Sequence, residues 1–412
     1  MTDASRAAAP TSSPERYLIL DILRGFALLG VLIANLDELG GEGMTATTEQ
    51  LAALSSAGID ESVKWALELF VYDKANTLFA VLFGIGFWIQ MDRLTARGVA
   101  FGSIYLRRIT ILTTFGLIHL LGWFSWDILH LYGLLAFVLY VSRDLPDRIL
   151  FWLGGALLIF GKRVLIWAGA ELGWTQVGLD IAYSEAAILA RHDAALSGDF
   201  FAFVGQMNLH IWFDWILGGT FVAWFAYGLG RFYIGAWIAR KGWLQNAGAH
   251  LAQVKSLTIL LLLNGLCLQA VAQLLASKPT IAALEAPPLW LEIMHDAATP
   301  LIAAGYVCAL IWMLHSALLS WLARLFAPVG QMALTNYLIQ SPFILLVLTK
   351  AGPGLGLAGQ AGSTAYLLLS LGFFALQVVV SHVWLRAFAY GPAEWLWRAL
   401  TYQTFPKLRR ER

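Results

Sequence analysis

Charged residues are scarce in this sequence. Only 13% of its 412 residues are Asp, Glu, Lys or Arg, while 59% are hydrophobic. A soluble domain carries about 25% charged residues, so the composition excludes an ordinary soluble globular protein. The sequence instead predicts a membrane protein that crosses the bilayer several times.

Cysteine and the common catalytic motifs are scarce too. Cys267 and Cys308 both lie in apolar stretches, and two thiols cannot build a disulfide framework or a thiolate metal site. The string GLGLAG at 354–359 follows no predicted strand, so we interpret it as a flexible connector rather than a dinucleotide site. Basic residues form no groove. We therefore expect neither a metal nor a nucleic-acid partner.

Ten apolar stretches of about 20 residues indicate transmembrane helices. In chain order they are 17–36, 65–91, 104–125, 127–142, 149–171, 207–238, 253–275, 297–319, 326–349 and 364–388. The stretch 127–142 is short and shares a tight turn with its predecessor. The predicted fold class is an all-α, polytopic membrane bundle of about ten helices.

The distribution of Lys and Arg predicts the orientation of these helices. With the N-terminus in the cytoplasm, the outer loops hold only Lys64, Arg191, Lys278 and Lys350, and the other loop cations lie inside. Cytoplasmic loops are typically enriched in Lys and Arg. Both termini are therefore predicted to be cytoplasmic.

The chain is predicted to consist of one membrane domain between two tails. Residues 1–16 are interpreted as a disordered cytoplasmic tail and 17–388 as the transmembrane domain, with halves at 17–240 and 250–388. Residues 389–412 are interpreted as an amphipathic, basic cytoplasmic tail that anchors the chain to lipid. In the outer loop 172–206, the string SEAAILARHDAAL predicts a short surface helix.

Ionisable residues at membrane depth are the main functional signal, because they are costly there. Asp21 and Arg24 share one face of the first helix, and the alternative to a binding role is a structural ion pair. Asp73, Lys74 and Asn76 lie in the outer half of the second helix.

A second group lies where the third and fourth predicted helices meet. A short turn brings His119 level with Asp127 and His130, and the latter two are three residues apart. A carboxylate beside an imidazole fixes its tautomer and raises its basicity, which suits a general base. A purely structural role is the alternative.

Other membrane-depth polar residues have structural interpretations as well as functional ones. His210 and Asp214 fit a wet interface at the outer surface, and Lys162 with Arg163 could extend to the membrane surface. Asn336 and Gln340 lie one turn apart, so they are either substrate contacts or hydrogen bonds between helices.

Five ordered strings resemble the YeiB-like family of bacterial inner-membrane proteins. They are LDILRGFALLGVLIAN, NTLFAVLFGIGF, GLIHLLGWFSWDILHLYGLL, GQMALTNYLIQS and GPAEWLWRALT. The N-terminal half of that family is similar to the heparan-alpha-glucosaminide N-acetyltransferase type of transmembrane acyltransferase. The resemblance implies a multi-pass protein of the bacterial inner membrane that moves an acyl group, such as acetyl, from cytoplasmic acyl-CoA to a hydroxyl or amine.

The resemblance also implies roles for individual residues. Those sugar acetyltransferases carry a histidine before their second span, but the loop 37–64 contains none here, so another histidine must act. The family's G-x-x-H and D-I-L elements fall on His119 and Asp127, which ranks His119 above His130. Arg24, held by Asp21, would meet the CoA phosphates, and the neighbouring Gly25 would let a ligand or helix approach closely.

The remaining expectations concern partners and alternatives. Lys74 and Asn76 would stabilise the oxyanion, and Asp73, Asn336 and Gln340 complete the predicted substrate-binding set. Expected partners are membrane lipids, a small-molecule, glycan or lipid acceptor, and a second copy in a homodimer. The alternative functions are a transporter for a small metabolite and an envelope protein without turnover.

Overall fold

The chain folds into a bundle of helices. A computed structural model describes residues 18–98, 100–244, 247–282, 284 and 287–410, and within them there is no sheet. The predicted tail 1–16 lies outside the described residues. The main helices are α1 (Leu18–Gly40), α2 (Ala57–Phe70), α3 (Lys74–Ala96), α4 (Phe101–Gly122), α5 (Leu129–Val141), α6 (Asp147–Glu171), α7 (Phe200–Leu217), α8 (Thr220–Lys241), α9 (Leu251–Ala276), α10 (Leu289–Leu314), α11 (Ser320–Gln331), α12 (Ala333–Leu348), α13 (Ser363–Ala387) and α14 (Pro392–Tyr402).

Shorter segments join these helices. They are Thr48–Ala52, Gln176–Ala182, Glu185–Leu196 and Pro279–Ala282, with a 3₁₀ turn at Ala247–His250. The Glu185–Leu196 helix confirms the helix expected in the second outer loop. Its Arg191 is buried and donates to the carbonyl oxygens of Gly43, Met44 and Ala182. The two long outer loops are therefore bound to each other.

The helices confirm a multi-pass membrane bundle. Among the described residues, seven segments are long and apolar enough to cross a bilayer: α1, α2 with α3, α4, α6, α9, α10 and α13. The pairs α7–α8 and α11–α12 are bent by 77° and 83°, and counting each pair as one span gives nine. The one predicted span that is not among these nine, 127–142, corresponds to α5.

Helix α5 has only 13 residues, which is short for a span. It starts inside the protein, because the turn before it is buried: Phe124 and Asp127 are 2% and 1% exposed. It then runs back along α4, since the Tyr140 ring lies 5.9 Å from the Tyr105 ring near the start of α4. The chain therefore returns to the side from which α4 began, as the predicted orientation requires.

Each bend replaces the backbone hydrogen bonds that it breaks. Gly219, with φ of 67°, starts α8, and the Thr220 hydroxyl donates to the Asp214 carbonyl oxygen at 3.1 Å. At the second bend, the Glu394 carboxylate accepts from the backbone N–H groups of Leu334 and Thr335 at 2.6 and 3.1 Å. Such partners are what membrane proteins need where a helix breaks.

Helix α1 packs at the centre of the bundle and makes its closest contact with α11. A methyl group at Gly25 would overlap the carbonyl oxygen of Phe326, and one at Gly330 would overlap the carbonyl oxygen of Asp21. Small residues allow such backbone contact between membrane helices. Gly25 was expected to allow the close approach of a ligand or of a neighbouring helix. The structure shows the approach of a helix, α11.

Candidate functional site

The predicted histidine–aspartate group is assembled as a buried cluster. His119 comes from α4, Asp127 from the buried turn and His130 from α5, and all three side chains are at most 3% exposed. His119 Nδ1 and His130 Nδ1 each lie 2.8 Å from a different oxygen of Asp127. One carboxylate therefore orients both rings.

Ser341 of α12 completes this cluster, and the sequence reasoning missed it. Its Oγ lies 2.7 Å from His119 Nε2, and its side chain is 1% exposed. With Asp127 ionised, His119 Nδ1–H donates to the carboxylate, which leaves Nε2 to accept the Ser341 hydroxyl proton. Serine, histidine and aspartate are thus arranged as in a hydrolase triad. We call these four residues the His119 cluster.

A basic cavity of about 290 Å³ opens on the side where the N-terminus of α1 lies. Five arginines line it, together with the acidic side chains of Asp21 and Glu394. The arginines are Arg24, Arg93, Arg97, Arg108 and Arg398. Aromatic rings, including Tyr132 and Tyr337, form its other lining. We call this space the inner cavity; its guanidinium groups suit phosphate and its rings suit an apolar chain.

The C-terminal tail forms one wall of this cavity. Trp397 Nε1 donates to the Arg108 carbonyl oxygen at 3.0 Å, and the Arg108 guanidinium lies 3.6 Å above the Trp397 ring. Glu394 lies on α14 with Trp397 and caps the start of α12. Burial raises the pKa of its carboxyl group. Helix α14 therefore belongs to the bundle, in addition to the lipid-anchoring role expected for the tail.

An acidic cavity of about 620 Å³ lies at the opposite end of α1. Five carboxylates and Lys64 line it: Asp37, Glu38, Glu42, Asp60 and Glu61. Trp126 lines it as well and donates to Glu38 Oε2 at 3.3 Å. In the loop, the Thr48 hydroxyl lies 2.6 Å from Glu42 and lowers the pKa of that carboxyl. We call this space the outer cavity.

The His119 cluster lies between the two cavities. Leu129 and Tyr337 line the inner cavity, and Trp126 lines the outer one. In the chain, Asp127 therefore lies between Trp126 of the outer wall and Leu129 of the inner wall. The Tyr337 ring also lies 5.7 Å from the His119 ring, and its hydroxyl accepts from the Ile128 N–H at 3.2 Å. Within the described chain the two cavities share no lining residue.

The predicted Asp21–Arg24 pair lies at the inner cavity. Arg24 Nη1 and Asp21 Oδ1 are 3.2 Å apart, and both residues line the cavity. The Arg24 side chain is 30% exposed. The ion pair and a role in binding are therefore compatible, because the guanidinium retains access to the cavity.

Asp73 lies elsewhere, in a network of ion pairs with α6, α8 and α10. Lys162 Nζ lies 3.3 Å from Asp73 and 3.6 Å from Asp296, and Arg163 Nε lies 3.0 Å from Asp296. Lys162 is buried, so it does not extend to the membrane surface. We call these four charged residues the Asp73 network.

The structure does not bring Lys74 or Asn76 to the His119 cluster. Lys74 Nζ donates to the Glu68 carbonyl oxygen at 2.5 Å, and neither side chain lines the inner or the outer cavity. The geometry therefore gives no support to the oxyanion role. Ligand atoms of Asp73, His295 and Asp296 lie within 4.8 Å of one another, as in a metal site. Lys162 already bridges the two carboxylates, so no metal is needed to neutralise them.

Asn336 and Gln340 are joined to neighbouring helices. Asn336 Nδ2 donates to Ser381 Oγ at 3.0 Å, and Gln340 Nε2 donates to Gln377 Oε1 at 3.0 Å. Gln340 Nε2 also lies 3.3 Å from the Leu28 carbonyl oxygen of α1. The interhelical interpretation fits both amides, and neither side chain lines a cavity.

His210 and Asp214 are buried rather than at a wet interface. They are 1% and 4% exposed, and their nearest charged atoms are 4.0 Å apart. The His210 ring stacks at 6.0 Å on the ring of Trp126, the residue that directly precedes Asp127. The pair thus supports the wall of the outer cavity.

Fold and site together define a class: multi-pass helical membrane proteins with a buried histidine–aspartate cluster. The chain is 30% identical to the uncharacterized protein YxaH of Bacillus subtilis, over 95% of this chain and 96% of the relative. Residues 238–404 match the family described as "Protein of unknown function (DUF418)". The chain belongs to this YxaH-like, DUF418 family.

Two further relatives support that placement. The uncharacterized protein YeiB of Escherichia coli is 29% identical over 94% of this chain and 96% of its own length. An uncharacterized 39.9 kDa protein from the amylase 3' region of Bacillus acidopullulyticus is 26% identical over 97% of this chain and 98% of its own length. The YeiB-like character expected from the sequence is therefore confirmed, and none of these names includes an acyltransferase activity.

Proposed function

We propose that this protein is an integral-membrane acyltransferase of the bacterial inner membrane. One observation carries the proposal: the His119 cluster lies between an arginine-lined inner cavity and an acidic outer cavity. A donor would bind on one side and an acceptor on the other. The cluster would perform the transfer between them.

Acyl-CoA is the proposed donor. Its phosphates would contact the guanidinium groups at the mouth of the inner cavity, Arg24 among them, in charge-assisted hydrogen bonds. Its pantetheine and acyl chain would extend past Phe79 and Phe83 towards Tyr337, all of which line the cavity. Basic residues on the predicted cytoplasmic side match the compartment that holds acyl-CoA.

His119 is the proposed general base. Nε2 would take a proton from the attacking hydroxyl or amine, and Asp127 would stabilise the imidazolium that forms. His130 shares the same carboxylate but holds its other oxygen, so we assign it a supporting role. The acceptor, a small molecule, glycan or lipid headgroup with a hydroxyl or amine, would enter through the outer cavity.

The test compares His119→Ala with His130→Ala in purified, detergent-solubilised protein. Release of free CoA from acetyl-CoA is followed with a thiol reagent, and CoA affinity is measured by calorimetry. We expect His119→Ala to lower release by about 10²–10⁴-fold, because a positioned general base contributes that much. His130→Ala should cost less.

Calorimetry provides the control for folding. Both variants should bind CoA as the wild type does, because neither histidine lines the inner cavity. Full CoA release by His119→Ala would contradict the assignment of the base. Failure of the wild-type protein to bind CoA at all would contradict the acyltransferase proposal.

A small-metabolite transporter is the second candidate. Two observations favour it: the spans α7–α8 and α11–α12 are broken, and the Asp73 network lies among membrane helices. Broken helices and buried charges are common in transporters. Uptake of a solute into proteoliposomes without CoA consumption would select this function over acyl transfer.

A further inference from the structure

The separation of the two cavities raises a chemical problem for direct transfer. The inner and outer cavities share no lining residue in the described part of the chain, so a thioester in one does not meet an acceptor in the other. A residue of the His119 cluster that carries the acyl group covalently would remove this difficulty. Such a carrier accepts the acyl group from one side and releases it to the other.

We infer that Ser341 is this carrier, an inference that rests on the proposed acyltransferase function. Its hydroxyl lies 2.7 Å from His119 Nε2, and His119 Nδ1 lies 2.8 Å from Asp127. A serine hydroxyl is a weak nucleophile until an adjacent base takes its proton, and here the base is oriented by a third group. Among the described residues, no other serine hydrogen-bonds to His119.

The position of Ser341 on α12 fits access from the inner cavity. Tyr337 lines that cavity, and Ser341 follows it by four residues, about 6 Å further along the same helix face. The Tyr337 ring lines the inner cavity and lies 5.7 Å from the His119 ring, so its rotation would admit the thioester carbonyl.

The chemistry balances without a further reactant. In the first step, the Ser341 Oγ–H proton passes to His119 Nε2, Oγ bonds to the acyl carbon, and the carbon–sulfur bond of acyl-CoA breaks. The CoA thiolate leaves and takes the proton from His119. The product is an acyl ester on Ser341 and free CoA.

The second step reverses the roles on the outer side. The acceptor O–H or N–H gives its proton to His119 Nε2 and attacks the ester carbon. The bond between Ser341 Oγ and the acyl carbon breaks, and Oγ recovers the proton from His119. The acyl group thereby passes between the cavities while the two substrates stay apart.

The experiment uses acetyl-CoA with a radiolabelled acetyl group as the probe and omits the acceptor. Wild-type protein should release about one CoA per chain in a burst and retain one acetyl label. Peptide mass spectrometry should locate the label on Ser341. Ser341→Ala should lose the label and the burst, whereas Ser341→Cys should carry an acetyl thioester that neutral hydroxylamine releases.

Ser370→Ala is the matched control. Ser370 is 0% exposed on α13, and its hydroxyl has no hydrogen-bond partner, so its removal should leave the label and the burst unchanged. Calorimetric CoA binding by Ser341→Ala shows that the variant is folded.

Two results would overturn the inference and leave the proposed function intact. One is acetyl label on His119 in the Ser341→Ala variant. The other is CoA release by the wild type that requires an acceptor and never leaves label on the protein. Absence of CoA binding and CoA release in the wild type would instead overturn the proposed function itself.

Discussion

Two buried polar groups of this protein, the Asp73 network and the His119 cluster, accommodate charge in different ways. The Asp73 network sets two cations against two carboxylates, is extended by Arg231 beside Asp73 and Glu292 beside Arg163, and lines neither cavity. The His119 cluster has a single carboxylate, two imidazole rings and a hydroxyl, and it lies between both cavities. The first arrangement neutralises charge, whereas the second holds a proton that can move.

The difference separates a structural role from a chemical one. Buried ion pairs are weak evidence for function, but breaking one is costly. A chain of hydrogen bonds that runs from hydroxyl to imidazole to carboxylate is instead the arrangement that activates a nucleophile. Equivalent substitutions in the two groups should therefore affect different measurable quantities.

The largest contrast is expected from two matched substitutions, Asp127→Asn and Asp296→Asn. Asp127→Asn should lower CoA release per folded molecule by about 10²–10⁴-fold, because an amide does not hold the His119 tautomer or its imidazolium. Asp296→Asn should leave that rate unchanged but destabilise the fold by about 3–5 kcal/mol, since Lys162 and Arg163 lose a buried carboxylate.

Size-exclusion chromatography measures the yield of folded, monodisperse protein, and the burst assay measures CoA release per folded molecule. Both use the same samples. If Asp127→Asn mainly reduces the monodisperse yield while its specific rate holds, the two groups have the same structural role. Loss of specific rate in Asp296→Asn would place the Asp73 network in the reaction.

A smaller effect is expected from Arg24→Lys. Lysine keeps the charge but loses the planar fork, so the Kd for CoA should rise by about tenfold, or 1.4 kcal/mol. Arg163→Lys is the control from the Asp73 network and should leave the Kd unchanged. Calorimetry gives both values. Equal affinity in Arg24→Lys and wild type would reduce the Asp21–Arg24 contact to a structural ion pair.

The smallest effect is expected from Glu394→Gln, which alters the wall of the inner cavity. Burial raises the pKa of Glu394, so the folded state favours the protonated form. Its contribution to docking of α14 is therefore greatest at low pH and is lost as pH rises through the raised pKa. As pH rises through the pKa of Glu394, amide hydrogen exchange of residues 392–402 should quicken by more than the intrinsic exchange rate does. Glu394→Gln should not show this additional increase. The same pH response in both proteins would exclude Glu394 as its cause.

Much of the fold could be predicted from hydropathy, because long apolar stretches have few alternatives in a bilayer. The short helix α5 was predicted at 127–142, but the burial of the turn before it was not, since that turn bonds to Glu38 and Tyr337 of distant helices. Hydropathy also does not reveal the bends, which depend on partners such as Glu394 for the N–H groups of Leu334 and Thr335.

The site residues also differ in how far the sequence alone could predict them. His119, Asp127 and His130 are close in the chain, so a turn was enough to group them. Ser341 lies 222 residues beyond His119, and no feature of its sequence distinguishes it from other buried serines. The arginines of the inner cavity were visible as cytoplasmic charges, but their convergence depends on the docking of α14, which the apolar pattern does not describe.

The backbone contact of Gly25 with the Phe326–Gly330 segment has a consequence for how the protein is made. Helix α1 is made well before its partner, because the segment that fits against it follows roughly 300 residues later, some 15–60 s at ordinary rates of synthesis. Arg24 and Arg398 come together later still. A nascent or truncated chain therefore has no complete inner cavity, and the proposed donor site is complete only when α14 has docked.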